Sequence, residues 1–130
     1  MLLTALALTS CAPLLATVQG EAGSLSRGAG EQILLRNPGP TPMLAPTVRV
    51  EGPGLVMGDK YCDPAGTDPE RGTAIWHCGT EAKPIPDVPV GGFTSLTPVP
   101  DKAGVVGHIQ IATATFKRAG RFLPVRLELP

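Results

Sequence analysis

The chain has 130 residues, and its eleven basic and eleven acidic side chains cancel. That length holds one domain, and the balance excludes a net field that would draw in nucleic acid or an anionic membrane. Sixteen glycines and fifteen prolines make up close to a quarter of the chain, which argues against a helical bundle, since inside a helix Gly costs about 1 and Pro about 3 kcal/mol.

Leu2 to Leu8 are apolar or small, apolar character returns after Cys11, and no charge precedes Glu21. The run is too short and too interrupted for a spanning helix of about 20 residues, so residues 1–20 are expected to be an export signal. Leu8-Thr9-Ser10-Cys11 resembles the lipobox of bacterial lipoproteins, with a small residue before the cysteine. That resemblance implies lipidation of Cys11 and membrane attachment through more than one acyl chain, as stable anchoring requires. Cleavage after Gly20, with Val18 and Gly20 as the small pair, is the alternative. Residues 21–30 are small and polar and read as a flexible tether.

Strand-like segments follow. Ile33-Leu34-Leu35 is stopped by the turn Asn37-Pro38-Gly39-Pro40, where proline fixes φ and glycine accepts positive φ. Thr47 to Glu51 alternates apolar with charged, the period of a half-buried strand. Leu55-Val56-Met57 is a further short apolar run, and Ala74 to Cys78 puts Trp76 and Cys78 on one face. Phe93 to Leu96 is another short candidate. His108 to Lys117 then alternates, with Ile109, Ile111, Thr113 and Thr115 opposite Ala112, Ala114 and Phe116. The last segment, Phe122 to Leu129, contains Pro124, which lacks an N–H and fits an edge or a strand start. Six or seven short strands between Gly/Pro breaks describe an all-β domain over residues 31–130, a sandwich or else a small barrel.

Both processing routes remove Cys11 from disulfide chemistry and leave Cys62 and Cys78. An even pair in an oxidising compartment fits one disulfide. It would close fifteen intervening residues and contribute about 3 kcal/mol. Two free buried thiols, or zinc on Cys62, Cys78 and His77, are the other readings. Alternation places His77 opposite Cys78, which disfavours zinc. Trp76 is expected in the core against the disulfide, with ligand stacking as its other use. Asp63, Asp68 and Glu70 carry oxygens of the kind that bind calcium, yet they match no EF-hand spacing, and a solvated loop over Asp63 to Gly72 explains them.

No catalytic pattern emerges. None of Ser10, Ser24, Ser26 and Ser95 lies in Gly-x-Ser-x-Gly, and no His-Glu-x-x-His, P-loop or dinucleotide fingerprint occurs. His77 and His108 both fall on strand candidates. A non-enzymatic protein without cofactor is expected.

Several of these features in order resemble the immunoglobulin-like repeats of bacterial cell-surface proteins. The carriers are Ile33 to Pro40, Val48-Arg49-Val50, Cys62, Trp76-His77-Cys78, Pro89-Val90-Gly91-Gly92 and Gly107 to Thr115. The resemblance implies an immunoglobulin-like β-sandwich and a structural or protein-interaction role in the envelope. Its expected partners are another envelope or surface protein, with the membrane reached through the lipid anchor. A glycan- or calcium-binding module on the Cys62–Cys78 loop is the alternative. A disulfide-closed loop offered to a secreted hydrolase is a third reading.

Overall fold

The computed structural model describes residues 23–118 and 121–128. It holds eight strands and no helix among them: β1 (Ser24–Arg27), β2 (Ile33–Arg36), β3 (Leu44–Gly52), β4 (Cys62–Asp68), β5 (Thr73–Cys78), β6 (Phe93–Leu96), β7 (Ile111–Arg118) and β8 (Arg121–Glu128). One sheet has the order β1-β2-β6 and the other β4-β5-β3-β7-β8, with every pairing antiparallel. The fold is therefore a β-sandwich rather than a single barrel. The chain crosses between sheets from β2 to β3, from β5 to β6 and from β6 to β7, so β1, β2 and β6 face β3, β7 and β8.

Alternation builds the core between the sheets. Ile33, Leu35 and Leu96 from one side meet Val48, Val50, Ala112, Ala114 and Phe116 from the other, all buried. Small alanines on β7 opposite branched side chains on β3 let the layers close up. Thr113 and Thr115 consequently face outward. β8 pairs with β7 alone among the described residues, an edge position that tolerates Pro124. Leu123 packs on the core from that edge.

Two expectations need correction. The tether proposed for residues 21–30 contains a strand: β1 pairs with β2, and Leu25 is only 7% exposed. The polar loop expected over Asp63 to Gly72 is mostly β4, whose backbone pairs with β5 through a bulge between Pro64 and Thr67. Both strands are held by main-chain ladders and one buried side chain each, so their composition hides them. They raise the strand count above the six or seven expected.

The disulfide forms between Cys62 and Cys78, directly opposed neighbours in one sheet. It thus ties β4 to β5 rather than bridging the two layers. Trp76 lies one pleat along the same face. It is half-buried against the core cluster that includes both cysteines, and its indole N–H donates to the Leu55 carbonyl at 2.8 Å. Trp76 therefore pins the connection from β3 to β4 across the end of the core. That connection makes an isolated bridge, Met57 to Pro98, beyond β6.

Two glycines permit close approaches. A Cβ on Gly52 would lie 1.9 Å from the His108 carbonyl oxygen, and one on Gly79 would lie 2.4 Å from that of Pro46. Gly79 also has φ 90°, which side-chain-bearing residues rarely adopt. Substitution at Gly79 therefore meets both a steric and a conformational barrier.

Asn37, 1% exposed, organises the end of the sandwich where β2 leaves. Its Nδ2 donates to the carbonyls of Thr41 and Val88, both at 2.9 Å, and its Oδ1 accepts from the Gly39 N–H at 3.0 Å and from the Arg118 guanidinium. Arg118 also donates to the Thr41 carbonyl at 3.1 Å. One amide side chain thereby joins the β2–β3 turn, the β5–β6 connection and the end of β7.

Candidate functional site

The outer face of the five-stranded sheet carries the most developed surface. β3 is its central strand, and the register places Arg49 beside His77 of β5 on one side and Thr113 of β7 on the other. Asp63 extends the same row onto β4. One pleat away, Thr47 and Thr115 are paired and their hydroxyls are 2.6 Å apart. Thr47, Arg49, His77, Thr80, Thr113 and Thr115 line a groove of about 390 Å³. The groove presents a guanidinium, an imidazole and several hydroxyls on a rigid sheet.

Arg49 is held from beneath. Glu51, two residues on and so on the same face, is buried at 3% exposure between Ile75 and Ile111 in the register. A carboxylate out of water needs donors. Thr73 Oγ1 donates to its Oε2 at 2.7 Å, Arg49 Nη1 lies 3.4 Å from Oε1, and Arg71 Nε lies 4.0 Å from Oε2. Arg71 reaches over from the β4–β5 turn and also pairs with Asp68 at 3.6 Å. This cluster ties the Arg49 guanidinium to the buried carboxylate beside the groove.

The calcium candidates do not converge. Asp63 pairs with Lys83 at 2.5 Å. Asp68 accepts from the backbone N–H groups of Glu70 and Arg71 inside its own turn, and Glu70 is exposed. Among the described residues no group of three or more His, Cys, Asp or Glu could hold a metal ion. The zinc reading also fails, because both sulfurs are in the disulfide and the pleat puts His77 on the other face. Cys11 lies outside the described residues. A second hollow, of about 400 Å³, is lined by Lys60, Tyr61, Ala82, Lys83, Pro84 and Pro86.

His108 belongs to a different cluster at the far end of the sandwich. Its Nδ1 is 2.7 Å from Glu31 Oε1, Arg27 Nη1 is 3.0 Å from the same oxygen, and Arg27 Nη2 faces His108 Nε2 at 3.3 Å. Arg27 also donates to the Ile109 carbonyl at 3.3 Å. The arrangement clasps the β1–β2 turn to the segment entering β7, with the imidazole engaged at both nitrogens. Hydrogen bonding from His108, together with the charge of Arg27, holds the Glu31 carboxyl below its ordinary value of 4.5. A lowered carboxyl stabilises the fold above its unfolded value and loses that contribution as pH falls through the lower folded value. Glu31→Gln should therefore flatten the acid limb of melting temperature against pH below 4.5, relative to the native chain. Equal slopes for the two proteins would remove Glu31 from that limb.

The alternation around Thr47–Glu51 and Thr113–Thr115 marks which side chains face out, but not which strands stand side by side. Arg49, Glu51 and the threonines were therefore not assembled from the sequence. Comparison with protein-family models, with curated proteins and with solved structures finds no match to this chain.

Proposed function

We propose that the protein is an exported, lipid-anchored envelope protein whose β-sandwich is a non-enzymatic interaction module. In this reading the groove around Arg49 is its contact surface for another envelope macromolecule. The observation that carries the reading is the Arg49 row: a cation flanked in register by His77 and Thr113, its guanidinium steadied by the buried Glu51. A steadied guanidinium between an imidazole and a hydroxyl recognises carboxylates and amide carbonyls of a partner. The residues before Cys11 support export, and the lipobox resemblance supports the anchor.

A photo-crosslinking residue at Thr113, with one at Ser95 on the other sheet as control, tests the surface in living cells. A discrete adduct from position 113 that disappears with Arg49→Ala is the expected result. An adduct indifferent to Arg49→Ala, or none at 113, would overturn the assignment of the face. A glycan ligand is the second reading, favoured by Thr80, whose buried hydroxyl makes no hydrogen bond and which lines the same groove. Saturable binding of free oligosaccharide, lost with Thr80→Val, would establish it instead.

A further inference from the structure

The chain enters the sandwich at one defined end. A Cβ on Gly23 would lie 2.3 Å from Met43 Cε and 3.0 Å from Phe116 Cε1. Gly23 therefore sits where β2 ends and β6, β3 and β8 begin, the end that Asn37 organises. Six large apolar side chains are exposed among the described residues, and four of them, Leu44, Val90, Phe93 and Phe122, belong to this end. Phe122 is 69% and Phe93 56% exposed, although water penalises bare aromatic rings.

Two cations accompany them. The Arg36 guanidinium lies 5.4 Å from the centroid of the Phe93 ring. Lys117 stands between Leu44 and Phe122 in one cross-strand row. The acidic groups of this end, Glu81 and Asp87, lie on the β5–β6 connection, and Asp87 accepts from the Ala45 N–H at 3.0 Å. Apolar side chains flanked by long basic ones are the chemistry of a headgroup boundary, where rings sink to the acyl level and the basic side chains reach the phosphates.

We infer that this end of the sandwich is a membrane-docking surface, with Leu44, Val90, Phe93 and Phe122 seated at the headgroup–acyl boundary and Arg36 and Lys117 on lipid phosphates. The inference rests on the lipid-anchored reading above, and the length of the leader agrees with it. Gly23 follows Cys11 by twelve residues, which reach about 40 Å at most when fully extended. An anchor at Cys11 holds the entry end within that reach of the bilayer. Docking would turn the loop tip at Val105 and Val106, exposed at the opposite end, away from the bilayer. The Arg49 face would stand at the side, open to a partner.

Tryptophan depth reporters test the docking. Trp76 is the sole native tryptophan, so the native chain is the blank. The full chain and its Phe93→Trp, Phe122→Trp and Val105→Trp variants are reconstituted in vesicles of equal parts phosphatidylglycerol and brominated phosphatidylcholine. Intact mass reports lipid at Cys11 on the same samples. Strong quenching of the added emission at 93 and 122, with none at 105, is the expected result. Equal quenching at all three positions, or none at 93 and 122, overturns the docking. Lipid on Cys11 without quenching at 93 and 122 sinks the docking and leaves the anchor standing. Quenching at 93 and 122 without lipid sinks the anchor and leaves the docking standing.

Discussion

Replacing both Cys62 and Cys78 by alanine should lower the unfolding free energy by about 3 kcal/mol. The bridge closes a sequence separation of 16 residues, and β4 has little else to hold it. Beyond Cys62 its side chains are exposed or half-buried, so its attachment to β5 rests on backbone pairing and on the sulfurs. In a domain of about 100 residues, each 1 kcal/mol moves the melting temperature by roughly 4–8 °C. A fall of more than about 10 °C is therefore expected in calorimetry of the double variant, and a comparable fall on adding reductant to the native protein. A shift within the scatter of surface substitutions would mean that the β4–β5 hairpin carries itself. Because Trp76 and both cysteines share one cluster, loss of the bridge should also change the Trp76 emission.

Asn37→Ala should cost as much or more. The truncation removes both donors to the carbonyls of Thr41 and Val88 and the acceptor used by Gly39 and Arg118. Each buried group left unsatisfied costs about 1–3 kcal/mol. Arg118 is itself buried, at 3% exposure, and removing a partner from a buried charge costs about 3–5 kcal/mol. Denaturant unfolding should place the variant at least about 3 kcal/mol below the native chain, with the m-value unchanged. A loss under about 1 kcal/mol would show that water takes over the role of the amide. The same hub lies under Val90 and Phe93, because the Asn37 N–H donates to the Gly92 carbonyl at 3.0 Å and the Gly91 N–H to the Asn37 carbonyl at 2.9 Å. The variant should therefore disturb the apolar end of the sandwich before it disturbs the Arg49 face.

Much of the fold was legible in the chain itself. Val48, Val50, Ala112, Ala114 and Phe116 alternate with polar neighbours, and the interior takes those alternate residues. The Asn37 turn and the Cys62–Cys78 pairing were also readable, since turn chemistry and cysteine parity are local or arithmetic facts. β1 and β4 were not, because a strand held mainly by its backbone ladder leaves no hydrophobic period to detect. The site was legible only in parts. Arg49 faces outward on an alternating strand, but its partners His77 and Thr113 come from strands distant in sequence. Strand order is set by crossings that no local pattern encodes. The acids between the cysteines drew attention as oxygen ligands, but Asp63 pairs with Lys83, Asp68 serves its own turn and Glu70 is exposed.

Intact mass of the mature protein extracted from membranes, measured with and without alkylation, tests most directly the proposal of a disulfide-stapled domain held outside the cytosol by a lipidated Cys11. The expected species begins at Cys11, carries acyl chains there, and takes up no alkylating reagent at Cys62 or Cys78 until it is reduced. A species that retains the residues before Cys11, or one that is alkylated at both remaining cysteines without reduction, would contradict the account.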